Sequence, residues 1–314
     1  MRHNSLLALL AGTVVLAACS SETTTPTEPV TADTTTDIAA ADVESASDAT
    51  PDDAPLAPDL TVLAEVIGGD WREPSSDRDE WRHPQETLEF LGIDPSGTIV
   101  EIWPGGGWYT DILAPWINAN DGQYIAAHFD PEASSENRRR SRANFDQRVA
   151  DTALYGDVRT ISFNLRTELA VESGSVDAIL TFRNIHNWMS YGFAERAFAD
   201  FHTALAPGGI LGVVEHRLPS TREQDPGAAN GYVQQAYVIA LAEEAGFEFV
   251  EASEVNANPA DTADHPRGVW TLPPVRRNPA ADSEMADEFD RAAYDAIGES
   301  DRMTLLFRKP GADE

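Results

Sequence analysis

One stretch constrains this chain more than any other: Thr98 to Thr110, TIVEIWPGGGWYT. Ile99 to Ile102 read as a short buried strand with an acid, Glu101, near its end. Three consecutive glycines follow, Gly105, Gly106 and Gly107, and Trp108, Tyr109 and Thr110 open an apolar, helix-like run. A strand that runs through a glycine turn into a helix brings backbone close to a nucleotide-like ligand, because absent side chains leave the space.

The rest of the chain repeats that alternation. Leu60 to Ile67 and Gln85 to Leu91 are helical in pattern, the second ending at Gly92. After the glycine turn a helix is expected from Trp108 to about Ile117, kinked or ended by Pro115. Gly122 to Phe129 reads as a second strand, and Asp130-Pro131 as the N-cap and first residue of a long helix. Val158 to Asn164 and Ser175 to Phe182 are the third and fourth strands, the latter followed by a polar-aromatic loop, Arg183 to Trp188. Phe193, Ala197, Phe201 and Leu205 recur every four residues, as in an amphipathic helix. Pro207-Gly208-Gly209 turns that helix into a fifth strand, Ile210 to Val214, which ends in Glu215-His216. A helix from Tyr232 to Ala245 closes at Gly246, and Phe247 to Val255 and Met303 to Arg308 are two further strands.

Such alternation requires parallel strands joined by right-handed crossovers, a doubly wound α/β sheet. The last two strands have no adequately patterned helix directly between them and are expected as an antiparallel edge pair. The excursion over 256–299 is Pro-, Asp- and Asn-rich with one apolar island, Gly268 to Pro274. It is expected to cover the ligand, with Trp270 buried against the edge strands. Arg78, Arg82 and His83 read as ordinary surface ion pairing, and Arg138, Arg139, Arg140, Arg142 and Arg148 as a solvated helix face.

The formal charge is −31. An acidic surface of that size repels nucleic acid and anionic headgroups, so neither is an expected partner of the folded part. Met1 to Ala18 joins a short basic start, Arg2 and His3, to an apolar run too short to span a membrane, and reads as a secretory signal. Its end, Leu16-Ala17-Ala18-Cys19, resembles a bacterial lipobox, which implies lipidation of Cys19 and a place in the cell envelope on the periplasmic face. Ser20 after the Cys goes, by the same resemblance, with outer-membrane sorting. Cys19 is the chain's single cysteine, so the domain holds together without an internal disulfide. Residues 19–58 are Thr-, Ala-, Asp- and Pro-rich and are expected as a disordered acidic tether. Residues 59–314 then form the folded domain.

From Leu88 to Pro310 the chain resembles the class I S-adenosylmethionine-dependent methyltransferases. Val100-Glu101 and Gly105-Gly106-Gly107 match the family's first motif, and Ala206-Pro207-Gly208-Gly209 its turn before strand five. The wording EIWPGGGWYT, with Arg183-Asn184-Ile185-His186-Asn187-Trp188 after strand four, is similar to a subgroup of methyltransferases of unknown substrate. The resemblance implies a mostly parallel seven-stranded Rossmann-like sheet with an antiparallel strand at the C-terminal end. It also implies S-adenosylmethionine as cofactor, held around Glu101, Pro104, Gly105, Gly106, Gly107, His128 and Asn164. Glu101 would hold either the turn's amides or the cofactor's ammonium. His128 stands where the family keeps a ribose-binding acid. Asn164 stands where the family contacts adenine, and a strand-end cap is the competing role. Trp103 replaces a family glycine, and so narrows the turn or stacks on the ligand.

Methyl transfer is an in-line displacement that mainly needs alignment and exclusion of water. Arg183, Asn184 and His186 are the catalytic candidates, His186 being the best base by type; His216 and Glu215 are second. A nicotinamide enzyme is disfavoured, because Thr110 stands where that fingerprint needs a third glycine. There is no Gly-x-Ser-x-Gly elbow. His128, His186, His202, His216 and His265 are too scattered in sequence for metal-ligand spacing, so no metal is expected. Export conflicts with a cofactor made in the cytoplasm. The chain therefore reads as a lipid-anchored methyltransferase of a small-molecule acceptor or, alternatively, as a non-catalytic ligand-binding lipoprotein that keeps the fold.

Overall fold

The computed structural model describes residues 60–73 and 75–311. The signal, Cys19 and the tether lie outside the described residues. The strands are β1 (Thr98–Ile102), β2 (Gln123–His128), β3 (Arg159–Ser162), β4 (Val176–Phe182), β5 (Leu205–Leu218), β6 (Val233–Gln234), β7 (Glu248–Ser253), β8 (Pro266–Val269) and β9 (Arg302–Arg308). The helices are α1 (Leu60–Ile67), α2 (Asp79–Arg82), α3 (Pro84–Leu91), α4 (Thr110–Ala119), α5 (Glu136–Arg148), α6 (Thr152–Tyr155), α7 (Ile185–Tyr191), α8 (Ala194–Ala204), α9 (Gln235–Glu244) and α10 (Arg291–Ile297).

The sheet runs β3-β2-β1-β4-β5-β9-β7, with the two-residue β6 added beside β5. The pairs from β3 to β5 are parallel. β9 enters antiparallel between β5 and β7, which realises the expected edge arrangement. Strand order reverses between β1 and β4, the place where open α/β sheets leave a crevice at the carboxyl ends of their strands.

The central strands β1, β2 and β4 are covered on both faces and are nearly continuously buried, whereas the edge strands β3 and β7 are more exposed. Val100, Ile102, Ile125, Ile179 and Leu211 pack under Phe198 and Phe201 of α8 and Val238 of α9. Ile99, Tyr124, Ala126 and Leu180 pack under Ile112 and Leu113 of α4 and Leu88 of α3. Glu101 points into this second, otherwise apolar layer.

Four local expectations are corrected. Pro115 does not end its helix, which runs through to Ala119. The carbonyl left without a helical donor by Pro115, that of Asp111, accepts instead from the Trp71 indole N–H at 2.9 Å. The long helix does not start at Asp130; Asp130 turns the chain by accepting from the Glu132 amide, and α5 begins after Ser135. The polar-aromatic stretch after β4 is not all loop, because Ile185 to Tyr191 form α7. Finally, the 256–299 excursion contains β8 and α10, and Trp270 is half-buried rather than packed away.

Candidate functional site

The site is built where β1, β4 and β5 end side by side. Phe182 and Val214 are in register across β4 and β5, so Arg183, the first residue past β4, stands level with Glu215, which is still paired to Met303 of β9. A cavity of about 410 Å³ opens there, within the range of small-ligand sites. Glu101, Pro104, Gly105 and Gly106 form one wall and Arg183, Asn184, His186 and His216 another. Val269, Trp270, Pro273, Pro274 and Val275 of the excursion border it, in keeping with the expected cover.

The glycine turn has specific reasons for its residues. Gly107 has φ +83°, and a Cβ there would fall 2.7 Å from Arg148 Cδ. Arg148 crosses it to reach both oxygens of the buried Asp111 at 2.8 and 2.7 Å, so this half-exposed arginine is tied to the turn rather than left on a solvated face. A Cβ on Gly106 would meet nothing within 4 Å, leaving its backbone open to the cavity.

Glu101 is 2% exposed. One oxygen, Oε2, accepts from Tyr124 at 2.5 Å and Thr110 at 2.8 Å. Burial pushes its pKa up to about 7, against the lowering effect of those two bonds. Oε1 accepts no hydrogen bond among the described residues.

Trp103 takes φ +46°, a conformation that costs a non-glycine residue about 1–3 kcal/mol. Trp103 borders the cavity, and its indole is packed into the aromatic layer with Trp188 of α7 and Phe193 before α8. There the ring N–H donates to the Phe163 carbonyl at 2.8 Å, and the ring packs on Phe129, Trp188 and Phe193 at centroid distances of 4.9, 6.0 and 5.8 Å.

His128 and Asn164 do not reach the cavity. His128 is fully buried, accepts from the Phe129 amide through Nδ1 and lies 3.4 Å from the Gly105 carbonyl through Nε2. It braces the turn from behind, and burial lowers its pKa to about 4, so it is neutral. Asn164 accepts from the Arg166 amide at 2.8 Å and borders a separate depression with Phe129 and Arg138.

On the opposite wall, His186 and Glu215 form a pair. The His186 Nδ1 lies 3.0 Å from Glu215 Oε1. Glu215, fully buried, also accepts from the main-chain amides of Ile185 at 2.6 Å and His216 at 2.8 Å. With acceptors facing Nδ1, the network assigns the proton to Nδ1 and the lone pair to Nε2. Nε2 faces the Asn187 side-chain amide at 3.0 Å, on the cavity side. Two candidates ranked separately by sequence are thus one unit. Asn184 donates to the Ile102 carbonyl at 2.8 Å and to Thr181 Oγ1 at 3.2 Å, which ties the end of β1 to β4.

Residues scattered in sequence also converge: donor atoms of His186, Glu215 and His216 lie within 4.8 Å of one another. Glu215 already serves four N–H donors, and His216 Nδ1 is bonded to Ser300 Oγ at 2.6 Å. Burial, then His186 and Arg183, push the His216 pKa well below the usual imidazole range.

Arg183 has φ +64°, and its amide donates to the Val214 carbonyl at 2.7 Å. Burial lowers its pKa to about 10, so it remains cationic. Beside it, Arg78 and Arg82 are not the surface pairs expected. Arg82 is fully buried and both bond Glu299, at 2.6 and 3.0 Å. No sequence signal links Glu299 to this site, because the partners come from opposite ends of the domain.

No protein-family model matches the chain, and no curated protein matches it in sequence. Among solved structures it is similar to the [4+2]-cyclase SpnF, at 18% identity and TM-score 0.50, over 80% of this chain and 92% of that one. It is also similar to geranyl diphosphate C-methyltransferase from Streptomyces coelicolor A3(2), at 13% identity and TM-score 0.50, over 79% of this chain and 83% of that one. The second was solved with Mg²⁺, geranyl diphosphate and S-adenosyl-L-homocysteine. The likeness shows the fold: a class I S-adenosylmethionine-dependent methyltransferase-like sheet with helices on both faces. One fold hosts different reactions, as these two proteins illustrate, so the reaction is argued from the site.

Proposed function

We propose that the chain is an S-adenosylmethionine-dependent methyltransferase of a small-molecule acceptor, exported and anchored by a lipid on Cys19. The observation that carries the reading is the His186–Glu215 pair, whose Nε2 faces the same cavity as Glu101 and the open Gly106 backbone. The residues of the turn fit the cofactor: a cradle without side chains and a buried acid with one free oxygen. When bound, the cofactor supplies an electrophilic methyl carbon on a sulfonium sulfur.

The chain's own groups then divide the work. Glu101 Oε1 would hold the cofactor's ammonium, an interaction that favours the ionised carboxylate. Asn184 keeps the β1 and β4 ends at a fixed distance. Glu215 holds the His186 ring so that Nε2 accepts the proton the acceptor loses as it takes the methyl group. Trp270 and Pro273 keep water from that side of the cavity.

A second reading, a non-catalytic ligand-binding lipoprotein, is favoured by Trp103, His128 and Asn164. The two residues expected at the adenosyl end are turned away from the cavity, with Trp103 packed between. Calorimetric titration of the full chain with S-adenosylmethionine and S-adenosylhomocysteine separates the two. Binding of both supports methyl transfer; no heat up to millimolar ligand sinks it. For the anchor, Cys19→Ala is expected to move the protein from the membrane fraction to the soluble one, and unchanged partitioning refutes lipidation.

A further inference from the structure

Four guanidinium groups, those of Arg78, Arg82, Arg183 and Arg302, surround a single carboxylate, Glu299. Glu299 is 3% exposed and accepts from Arg78 at 2.6 Å, Arg82 at 3.0 Å and Arg302 at 3.0 Å. Its two oxygens are thereby filled. Arg82 is left with Nη1 and Nη2 buried and without a hydrogen bond among the described residues, its guanidinium lying 4.6 Å from the Trp108 ring centroid. The Arg183 guanidinium has no hydrogen bond or ion pair among the described residues, although it feels Glu299, Arg302 and Arg78. Arg78 and Arg183 line the cavity; Arg82 and Arg302 stand behind them. In a chain of formal charge −31, this wall carries an excess of positive charge.

The other charges at the cavity do not cancel it. Asp111 is taken by Arg148, and Glu101 is held partly protonated near neutral pH by burial. Taking cations out of water without partners is unfavourable unless an anion arrives with the ligand. Arg183 is also kept in a left-handed backbone conformation, one residue from Asn184 and three from His186. That conformation brings a planar fork of donors, suited to a carboxylate or phosphate, onto the wall that carries the base.

We propose that Arg183, backed by Arg78, binds a carboxylate or phosphate group of the methyl acceptor and so places the acceptor's nucleophile beside His186 Nε2. The inference rests on the methyltransferase reading and names the acceptor as an anion. The cofactor's own methionyl carboxylate is the other possible source of that charge, and the test separates them.

Thermal unfolding of the full chain is followed against phosphate and against succinate, with chloride at matched ionic strength as the blank. A saturable rise in Tm over chloride is expected for at least one of them. Arg183→Met should abolish it, and Arg183→Lys should weaken it about tenfold, since an ammonium keeps the charge and loses the fork. Should Arg183→Met fail to fold, Arg183→Lys and Arg78→Gln carry the same test. No saturable effect over chloride, or an effect unchanged in these variants, overturns the proposal. Repeating the titration at saturating S-adenosylhomocysteine distinguishes the sources: retained anion binding supports the acceptor, and displacement overturns that assignment in favour of the cofactor's carboxylate. S-adenosylhomocysteine binding without anion binding sinks this inference and spares the methyltransferase reading; the reverse result sinks that reading and leaves the anion site standing.

Discussion

The carboxyl edge of the sheet is finished in two different ways. Beyond β2 and β3 the chain closes itself with aromatic rings: Trp103, Phe129, Trp188 and Phe193 pack together, and His128 and Asn164 spend their polar atoms on neighbouring main chain. Beyond β4 and β5 it leaves polar groups at the cavity: Arg183, with no side-chain hydrogen bond or ion pair among the described residues, and His186 Nε2, which meets the Asn187 amide on the cavity side. The first region spends its polar atoms on neighbouring main chain, and the second holds side chains that line the cavity. The contrast teaches that fold resemblance transfers unevenly. The expected residues of the turn and of the segment after β4 border the cavity, whereas His128 and Asn164 do not.

Trp103→Ala is the largest break of that contrast. Removing a buried indole should cost roughly 3–5 kcal/mol in chemical denaturation. It should also open the way toward Asn164 and tighten S-adenosylhomocysteine binding. Weaker binding would mean that Trp103 holds the turn rather than closing a subsite. Trp103→Phe is the matched control: it loses one hydrogen bond, about 1 kcal/mol, and keeps the closure.

Glu215→Ala tests the other region. It orphans the Ile185 and His216 amides and the His186 ring, so a loss of about 3 kcal/mol is expected. Glu215→Gln should retain much of the stability while disturbing the His186 tautomer. The imidazole nitrogen chemical shifts of His186, which report which nitrogen carries the proton, should therefore change in Glu215→Gln; unchanged shifts would leave Glu215 a purely structural residue.

The smaller effect is in the pH profile of stability. Glu101 keeps its proton up to about pH 7 when folded, against 4.5 as an ordinary carboxyl. Between those values the folded state binds more protons, so Glu101 lowers stability as the pH rises and the loss is complete above about 7. Glu101→Gln should gain on wild type across that window, by at most about 3 kcal/mol. His128 acts oppositely, costing stability as the pH falls from 6.5 to about 4, so only the difference between variant and wild type isolates Glu101. A flat difference curve would remove the case for a protonated Glu101.

Much of this was legible in the chain. The periodicity of Phe193, Ala197 and Phe201, the glycines after β1 and the apolar strands are local patterns, and local patterns survive into the fold. What escaped was set by distant partners. Pro115 stays helical because Trp71 takes the carbonyl it frees. Arg82 is buried because Glu299, far along the chain, comes back beside it. His186 and Glu215 were two candidates until β5 placed one beneath the other.

By itself the sequence determined the parallel sheet, its glycine turn at the switch point and the antiparallel edge, because spacing and backbone sterics act over a few residues. The tertiary structure alone decided which polar groups face the ligand and which face the protein. Burial and long-range pairing choose between those fates, and neither is written in the identity of a single residue: one tryptophan folded inward closed a region, and one glutamate shared among several arginines left a charge open.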